Sequence, residues 1–151
     1  MKELIARIAE KHDLDPALVY GVCMKESSLD PLAMRYEPNY RWLITNIDGL
    51  KPANCSRDTE MIMQKISWGL MQVMGAVLRE YKFAGWLNQI SFIPELQLKY
   101  GCIHLKKKLA RWGTVHGIAA YNSGTPRFKE GQLVNQEYVD KVMKFSGQYG
   151  S

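Results

Sequence analysis

No two of the three cysteines lie close enough in sequence to form a Cys-x-x-Cys unit; they stand alone at Cys23, Cys55 and Cys102. An odd, scattered set of this kind argues against a disulfide framework and against a structural zinc site. Cys23 falls on an apolar helix face and Cys102 inside another helix, so both read as small core residues. His12, His104 and His116 show no metal-ligand spacing and read as structural, so neither a metal nor any other cofactor is expected. Long apolar runs are missing too. The first residues, Met1-Lys2-Glu3-Leu4-Ile5-Ala6-Arg7, are broken by charge every few positions. They read as an amphipathic helix, not as a signal peptide or a membrane span. The expectation is synthesis in a reducing cytosol, with no membrane insertion and no address of its own out of that compartment.

A Gly-rich phosphate loop and an Arg-rich arm are also absent. Lys and Arg number 20 against 15 Asp and Glu, for a formal charge of +5. This balance suits an anionic partner such as nucleic acid, anionic lipid or an acidic wall polymer. A DNA-binding helical domain rests only on Lys106, Lys107, Lys108 and Arg111, and that cluster reads better as the solvated face of a long helix. No nucleic-acid partner is expected. Repeats, low-complexity runs and linkers are lacking, and nothing asks for oligomerisation. Residues 1–151 therefore read as one monomeric domain, with 46% hydrophobic residues to build a core.

What is present is helical period almost throughout. Leu4, Ile5, Ile8 and Ala9 share a face over residues 2–12. Asp15 as N-cap and Pro16 at the first helical position predict a helix to about Ser27. Residues 29–55, with Pro31, Pro38, Gly49 and Pro52, read as irregular, with room for a short hairpin or a small helix around 40–44. Ser56 or Asp58 starts a helix to about Ile66. The stripe Leu70, Val73, Met74, Val77, Leu78 and Tyr81 predicts a helix over 69–81. Pro94 opens the longest helix, to about Trp112. Thr114 caps a helix over 115–123, stopped by Gly124 and Pro126. A last helix covers 136–148. The class is mainly α, with at most a small β-hairpin.

Chemistry enters where polar groups interrupt this pattern. Leu18, Val19, Val22, Cys23 and Glu26 share one helix face, so Glu26 continues an apolar stripe. Burial there would raise its pKa and keep it protonated nearer neutrality, the state a general acid needs. The competing reading has Glu26 bend out to solvent at the helix end. Asn122 likewise sits with Val115, Ile118 and Ala119, and must find hydrogen bonds. Gln72 shares a helical side with Gly69 and Ala76, small neighbours that would let a ligand approach closely.

Taken in order, Glu26-Ser27, Gly69-Leu70-Met71-Gln72, Ala120-Tyr121-Asn122-Ser123-Gly124 and Tyr138-Val139-Asp140-Lys141-Val142 resemble the signature of lytic transglycosylases with a soluble-lytic-transglycosylase, goose-lysozyme-like domain. The resemblance runs from the helix bearing Glu26 almost to the end of the chain, and implies a lysozyme-like fold. It also implies cleavage of the β-1,4 bond between N-acetylmuramic acid and N-acetylglucosamine in peptidoglycan, the expected partner. Glu26 matches the family's single catalytic acid. It would protonate the glycosidic oxygen and then act as base on the muramoyl 6-hydroxyl, closing a 1,6-anhydro ring. Ordinary glycosidases need a second carboxylate; here the substrate supplies the nucleophile, favoured by proximity.

By the same resemblance Ser27, Met71 and Gln72 would line the cleft, with the Gln72 amide reaching sugar substituents. Tyr121 and Asn122 would position the muramoyl residue and its acetamido group, and Tyr138 would orient Glu26. About a third of Tyr36, Tyr40, Trp42 and Trp68 would stack on sugar rings. The chain departs from compact bacterial members by an insertion from Arg35 through Ile66. A further departure is Trp68, which stands before Gly69 where a small residue is usual and so implies a different cleft wall. Arg35-Tyr36-Glu37-Pro38, together with Ser67-Trp68-Gly69-Leu70-Met71-Gln72, looks more like phage-encoded members, implying an endolysin or a virion-associated enzyme. Glu37 is a candidate second carboxylate that would admit hydrolysis by water. The reading preferred for it is a loop carboxylate paired with Arg35 or Arg41. The rivals are therefore a water-using muramidase of the same fold and a non-catalytic wall-binding virion protein.

Overall fold

The computed structural model describes residues 1–151. Its first two helices follow from their caps and apolar stripes. α1 (Lys2–Lys11) buries Ile5, Ile8 and Ala9. α2 (Pro16–Ser27) starts where the Asp15 carboxylate accepts a hydrogen bond from the Ala17 amide at 2.9 Å. It ends as Ser28 turns left-handed, with φ 54°. α2 lies against α7 (Gln136–Gly147), and Gly21 lets the two backbones close up: a Cβ there would stand 2.5 Å from the Val142 carbonyl oxygen.

The middle of the chain holds more β-structure than a single hairpin. β1 (Met34–Tyr36), β2 (Ile66–Trp68) and β3 (Val73–Met74) form a three-stranded antiparallel sheet in that order, pairing Met34 with Trp68 and Ser67 with Met74. β4 (Phe128–Lys129) and β5 (Gln132–Leu133) form a separate two-stranded hairpin. The helix expected over 69–81 is mostly absent. Residues 69–72 make the turn between β2 and β3, and only α4 (Gly75–Glu80) is helical. Gly69 (φ 73°) and Gln72 (φ 49°) both take left-handed backbone, which a helix does not accommodate. The buried Gln97 side chain then fixes the turn. Its Oε1 accepts from the Leu70 amide at 2.8 Å, and its Nε2 donates to the Pro31 and Ile90 carbonyls at 2.9 and 2.8 Å.

Residues 40–44 form no helix. The Gln64 amide instead pairs with the Ile44 backbone in both directions, at 2.8 and 2.9 Å. Gln64 closes α3 (Arg57–Gln64), which Ser56 caps through the Thr59 amide. A short 3-10 helix, Leu87–Phe92, leads into α5 (Pro94–Trp112). α6 (Thr114–Ser123) follows; Gly113 occupies its cap position and Thr114 is its first helical residue, without a side-chain cap. One contiguous cluster of 32 buried apolar side chains draws on α1, α2, the sheet, α5, α6 and α7, so these elements share a core. Cys23, Cys55 and Cys102 are buried free thiols. No helix is long and apolar enough to cross a membrane.

Candidate active site

The three-stranded sheet faces the end of α2 and the flanks of α5 and α6 across a cavity of about 470 Å³. Lys25 and Glu26 reach it from α2, Arg35 and Glu37 from β1 and the loop beyond, Gln72 from the turn, and Tyr121 and Asn122 from α6. Glu26 is half-buried and receives the Tyr138 hydroxyl on its Oε1 at 2.6 Å, across the α2–α7 contact. Burial raises the Glu26 pKa above the ordinary glutamate value; the Tyr138 hydrogen bond and the charges of Lys25 and Arg35 pull the other way and do not cancel it. Tyr138 is itself raised well above its usual value, by burial first and then by Glu26, so it stays a protonated donor. The Lys25 ammonium sits 5.3 Å from the centre of the Tyr138 ring.

The remaining predicted residues divide. Tyr121 is buried with its hydroxyl on the Met71 carbonyl at 2.7 Å, its ring forming cavity wall. Asn122 is exposed at the rim, not enclosed in an apolar stripe as its spacing suggested. Its Oδ1 accepts from Asn135 Nδ2 at 3.0 Å, which leaves the Asn122 amide nitrogen without a protein partner. Glu37 lines the same cavity as Glu26 and pairs with Arg35 at 3.0 Å, the first of its two expected partners.

Three expected positions change role. Met71 is fully buried against Gly101 and offers the cleft nothing; only its carbonyl matters, as the acceptor of Tyr121. Ser27 does not line the cavity. Its hydroxyl lies 3.1 Å from the Cys23 carbonyl and 2.9 Å from the Leu70 carbonyl, tying α2 to the turn. Gln72 lines the cavity from the turn, but its amide is engaged. Nε2 donates to the Ala33 and Gly69 carbonyls, and Oε1 accepts from Ser67 at 2.8 Å. The amide that was to reach a sugar therefore braces the sheet instead.

Among the aromatics, Trp68 is core, its indole N–H donating to the Met63 carbonyl at 3.3 Å, so it is not cleft wall. Tyr40 does line the cavity, Trp42 lies exposed nearby, and Tyr36 is exposed on β1. His104 is a cavity residue that periodicity hid, because an α5 position facing both core and cleft carries no distinct pattern. Its ring lies 5.4 Å from that of Tyr121, and its Nδ1 shares a hydrogen bond with the Tyr81 hydroxyl at 2.8 Å. Burial, with Lys108 and Lys107 adding to it, pushes its pKa down to about 4, so the ring is neutral at neutral pH. Lys25, next to Glu26 in sequence, and Arg35, expected only as a partner of Glu37, both bring their charge to bear on Glu26.

The arrangement is a half-buried carboxyl of raised pKa held by a tyrosine in a polar cleft. No group of three His, Cys, Asp or Glu is placed to hold a metal ion. Compared with known proteins, residues 3–143 match the family model described as Transglycosylase SLT domain. No curated protein and no solved structure gives a match.

Proposed function

The chain belongs to the transglycosylase SLT domain family, whose members are lytic transglycosylase-type enzymes acting on peptidoglycan, and on that footing we propose a mechanism in which Glu26 alone serves as acid and then base. The observation that carries it is the environment of Glu26, half-buried and tied to Tyr138 at 2.6 Å, with its pKa raised. The protonated carboxyl gives its proton to the oxygen between N-acetylmuramic acid and N-acetylglucosamine as that bond breaks. The carboxylate so formed removes the proton of the muramoyl 6-hydroxyl while its oxygen bonds to C1. A 1,6-anhydromuramoyl end results and Glu26 regains its proton. Tyr138 holds the carboxyl in line. Asn122 presents its unpartnered amide to the acetamido group, and Tyr121 walls the muramoyl subsite. Ser27, Met71 and Gln72 act indirectly, by fixing the turn at 69–72 against α2 and α6.

A second reading, hydrolysis by water, is favoured by one observation: Glu37 lines the same cavity. Its pairing with Arg35 at 3.0 Å is why we prefer the lone-acid mechanism. Digestion of purified sacculi followed by mass spectrometry decides between them. Lytic cleavage gives ends lighter by one water that resist borohydride; reducible free ends would sink the proposal.

We extend the reading to a phage context, as an endolysin or a virion-associated enzyme, on the segments 35–38 and 67–72. Searching purified virions for the chain separates those two roles.

A further inference from the structure

The cavity around Glu26 opens at Asn122 into a second one of about 660 Å³. The two share Tyr40, Met74, Val77, His104, Tyr121 and Asn122 as common walls. The second cavity adds Arg41 and Trp42 from the loop after β1, Lys108 from α5, and Arg127 from the segment after α6. Its charge is one-sided. Against these three cations its wall holds one carboxylate, Glu80, which Lys107 already engages at 3.3 Å. Neither Arg41 nor Arg127 forms a salt bridge; Arg41 lies over the exposed Trp42 ring at 5.1 Å. Lys108 donates only to the Gly124 carbonyl, at 2.7 Å. Burial, then Lys107, depresses its pKa, with Glu80 only partly opposing, as expected for an ammonium held without an anion of its own. A concave wall with two unpaired guanidiniums matches the planar geometry of a carboxylate.

We propose that this second cavity receives the carboxylate-bearing peptide attached through the lactyl ether of the muramoyl residue, so that the enzyme prefers peptide-bearing glycan to bare glycan. The proposal rests on the reading of the Glu26 cavity as the glycan cleft. A muramoyl ring seated against Tyr121 and Asn122 lies on the wall common to both cavities. A substituent leaving that ring sideways therefore enters the cationic one. Trp42 offers an apolar face to small side chains of the peptide, and Arg41 and Arg127 meet its carboxylates.

The test compares peptide-bearing strands with the same strands stripped by an amidase, for the wild type and for the Arg41→Gln/Arg127→Gln double variant. The wild type should favour the peptide-bearing strand by about tenfold in kcat/KM, carried by KM, as a charge-assisted contact or two would give. In the double variant the ratio should fall toward one, since both side chains are exposed and their loss leaves the core untouched. A wild-type ratio near one, or an undiminished ratio in the variant, overturns the proposal. So does competition by poly(glycerol phosphate) without any peptide preference, which would assign the cations to wall phosphates. Equilibrium binding of both strands to Glu26→Gln separates this proposal from the mechanism. Peptide preference in binding with no cleavage by the wild type would sink the reaction and keep the pocket, whereas cleavage without preference does the reverse.

Discussion

At the scale of single residues, the proposed chemistry turns on one balance, between the burial that raises the Glu26 pKa and the Tyr138 hydroxyl that lowers it. Glu26→Gln should cut activity by about a thousandfold, the usual worth of a positioned general acid. The same change should stabilise the fold. A carboxyl whose folded pKa is raised supports the native state below its unfolded pKa and loses that support as pH rises through the folded value. At pH 7 the wild type therefore bears the cost of keeping this ionisable group half-buried, a cost that glutamine does not carry. The melting temperature of Glu26→Gln should exceed that of the wild type by a few degrees, about 1 kcal/mol for a chain of this size. The gap should close toward pH 4, where the wild type also carries a proton; a constant gap would point to packing instead. Tyr138→Phe removes the interaction that lowers the Glu26 pKa. The alkaline limb of the pH–activity profile should then move upward, because the acid keeps its proton to higher pH. The rate should fall about tenfold through lost orientation, the worth of a hydrogen bond to a charged group. A slower variant with an unmoved limb would make Tyr138 a packing residue only.

At the scale of elements, α2, α5, α6 and α7 were legible because their signals are local: Asp15 and Pro16 at one end of α2, Pro94 opening α5, Gly124 after α6. The turn at 69–72 was not, because its decisive partner lies far along the chain. Leu70, Val73, Met74, Val77 and Leu78 fit a helical stripe. They also fit a turn, a strand and a short helix once Gly69 and Gln72 take positive φ. What selects the second arrangement is Gln97, 27 residues from Leu70, and no local pattern announces it. Once the turn is in place Gln72 reaches the cavity from it and Met71 is buried beneath it, while Glu26 and Tyr138, on two helices with clear local signals, meet at 2.6 Å. The dependence can be measured. Gln97→Met keeps the bulk but strands the Leu70 amide and leaves the Pro31 and Ile90 carbonyls without that donor. It should cost about 3 kcal/mol in urea unfolding, at roughly 1–2 kcal/mol each for the Leu70 amide and the Pro31 carbonyl, since the Ile90 carbonyl still accepts from the Ile93 amide. Activity should fall with it even where the variant remains folded, because Ser27 and Tyr121 both bond to carbonyls of the displaced turn.

At the scale of the whole molecule, the loop bearing Tyr40, Arg41 and Trp42 has little regular structure, yet it walls both cavities. Its position is set from beneath by an ion pair with no exposure on either side. Arg79 donates to both oxygens of Glu60 at 3.0 and 2.7 Å, and caps the Phe83 and Gly85 carbonyls. Gln64 donates to Glu60 at 2.8 Å and carries the connection on to Ile44, within the loop. The pair thus adds a polar link between α3, α4 and the loop, beside the apolar contacts that Met63, Val77 and Leu78 make in the core. Burial alone would raise the Glu60 pKa, but the hydrogen bonds from Arg79 and Gln64 and the Arg79 charge hold it below its ordinary value of 4.5. The sign of the pH dependence follows. A carboxylate with a lowered folded pKa contributes stability above its unfolded value, and loses that contribution as pH falls through the folded one. Glu60→Gln leaves the guanidinium buried without a counter-charge, at a cost of about 3–5 kcal/mol. The variant's urea midpoint at pH 7 should therefore drop sharply. Below pH 4.5 the difference from the wild type should shrink, because protonation progressively removes the same charge from Glu60. Replacing both partners, as in Glu60→Leu/Arg79→Met, restores much of the loss if desolvation dominates, since no charge is left stranded. Hydrogen exchange then reads what the pair does for function. If the double variant is stable yet the Ile44 amide, held by Gln64 at 2.8 Å in the wild type, loses its protection, the buried pair serves to place the cleft loop more than to hold the fold.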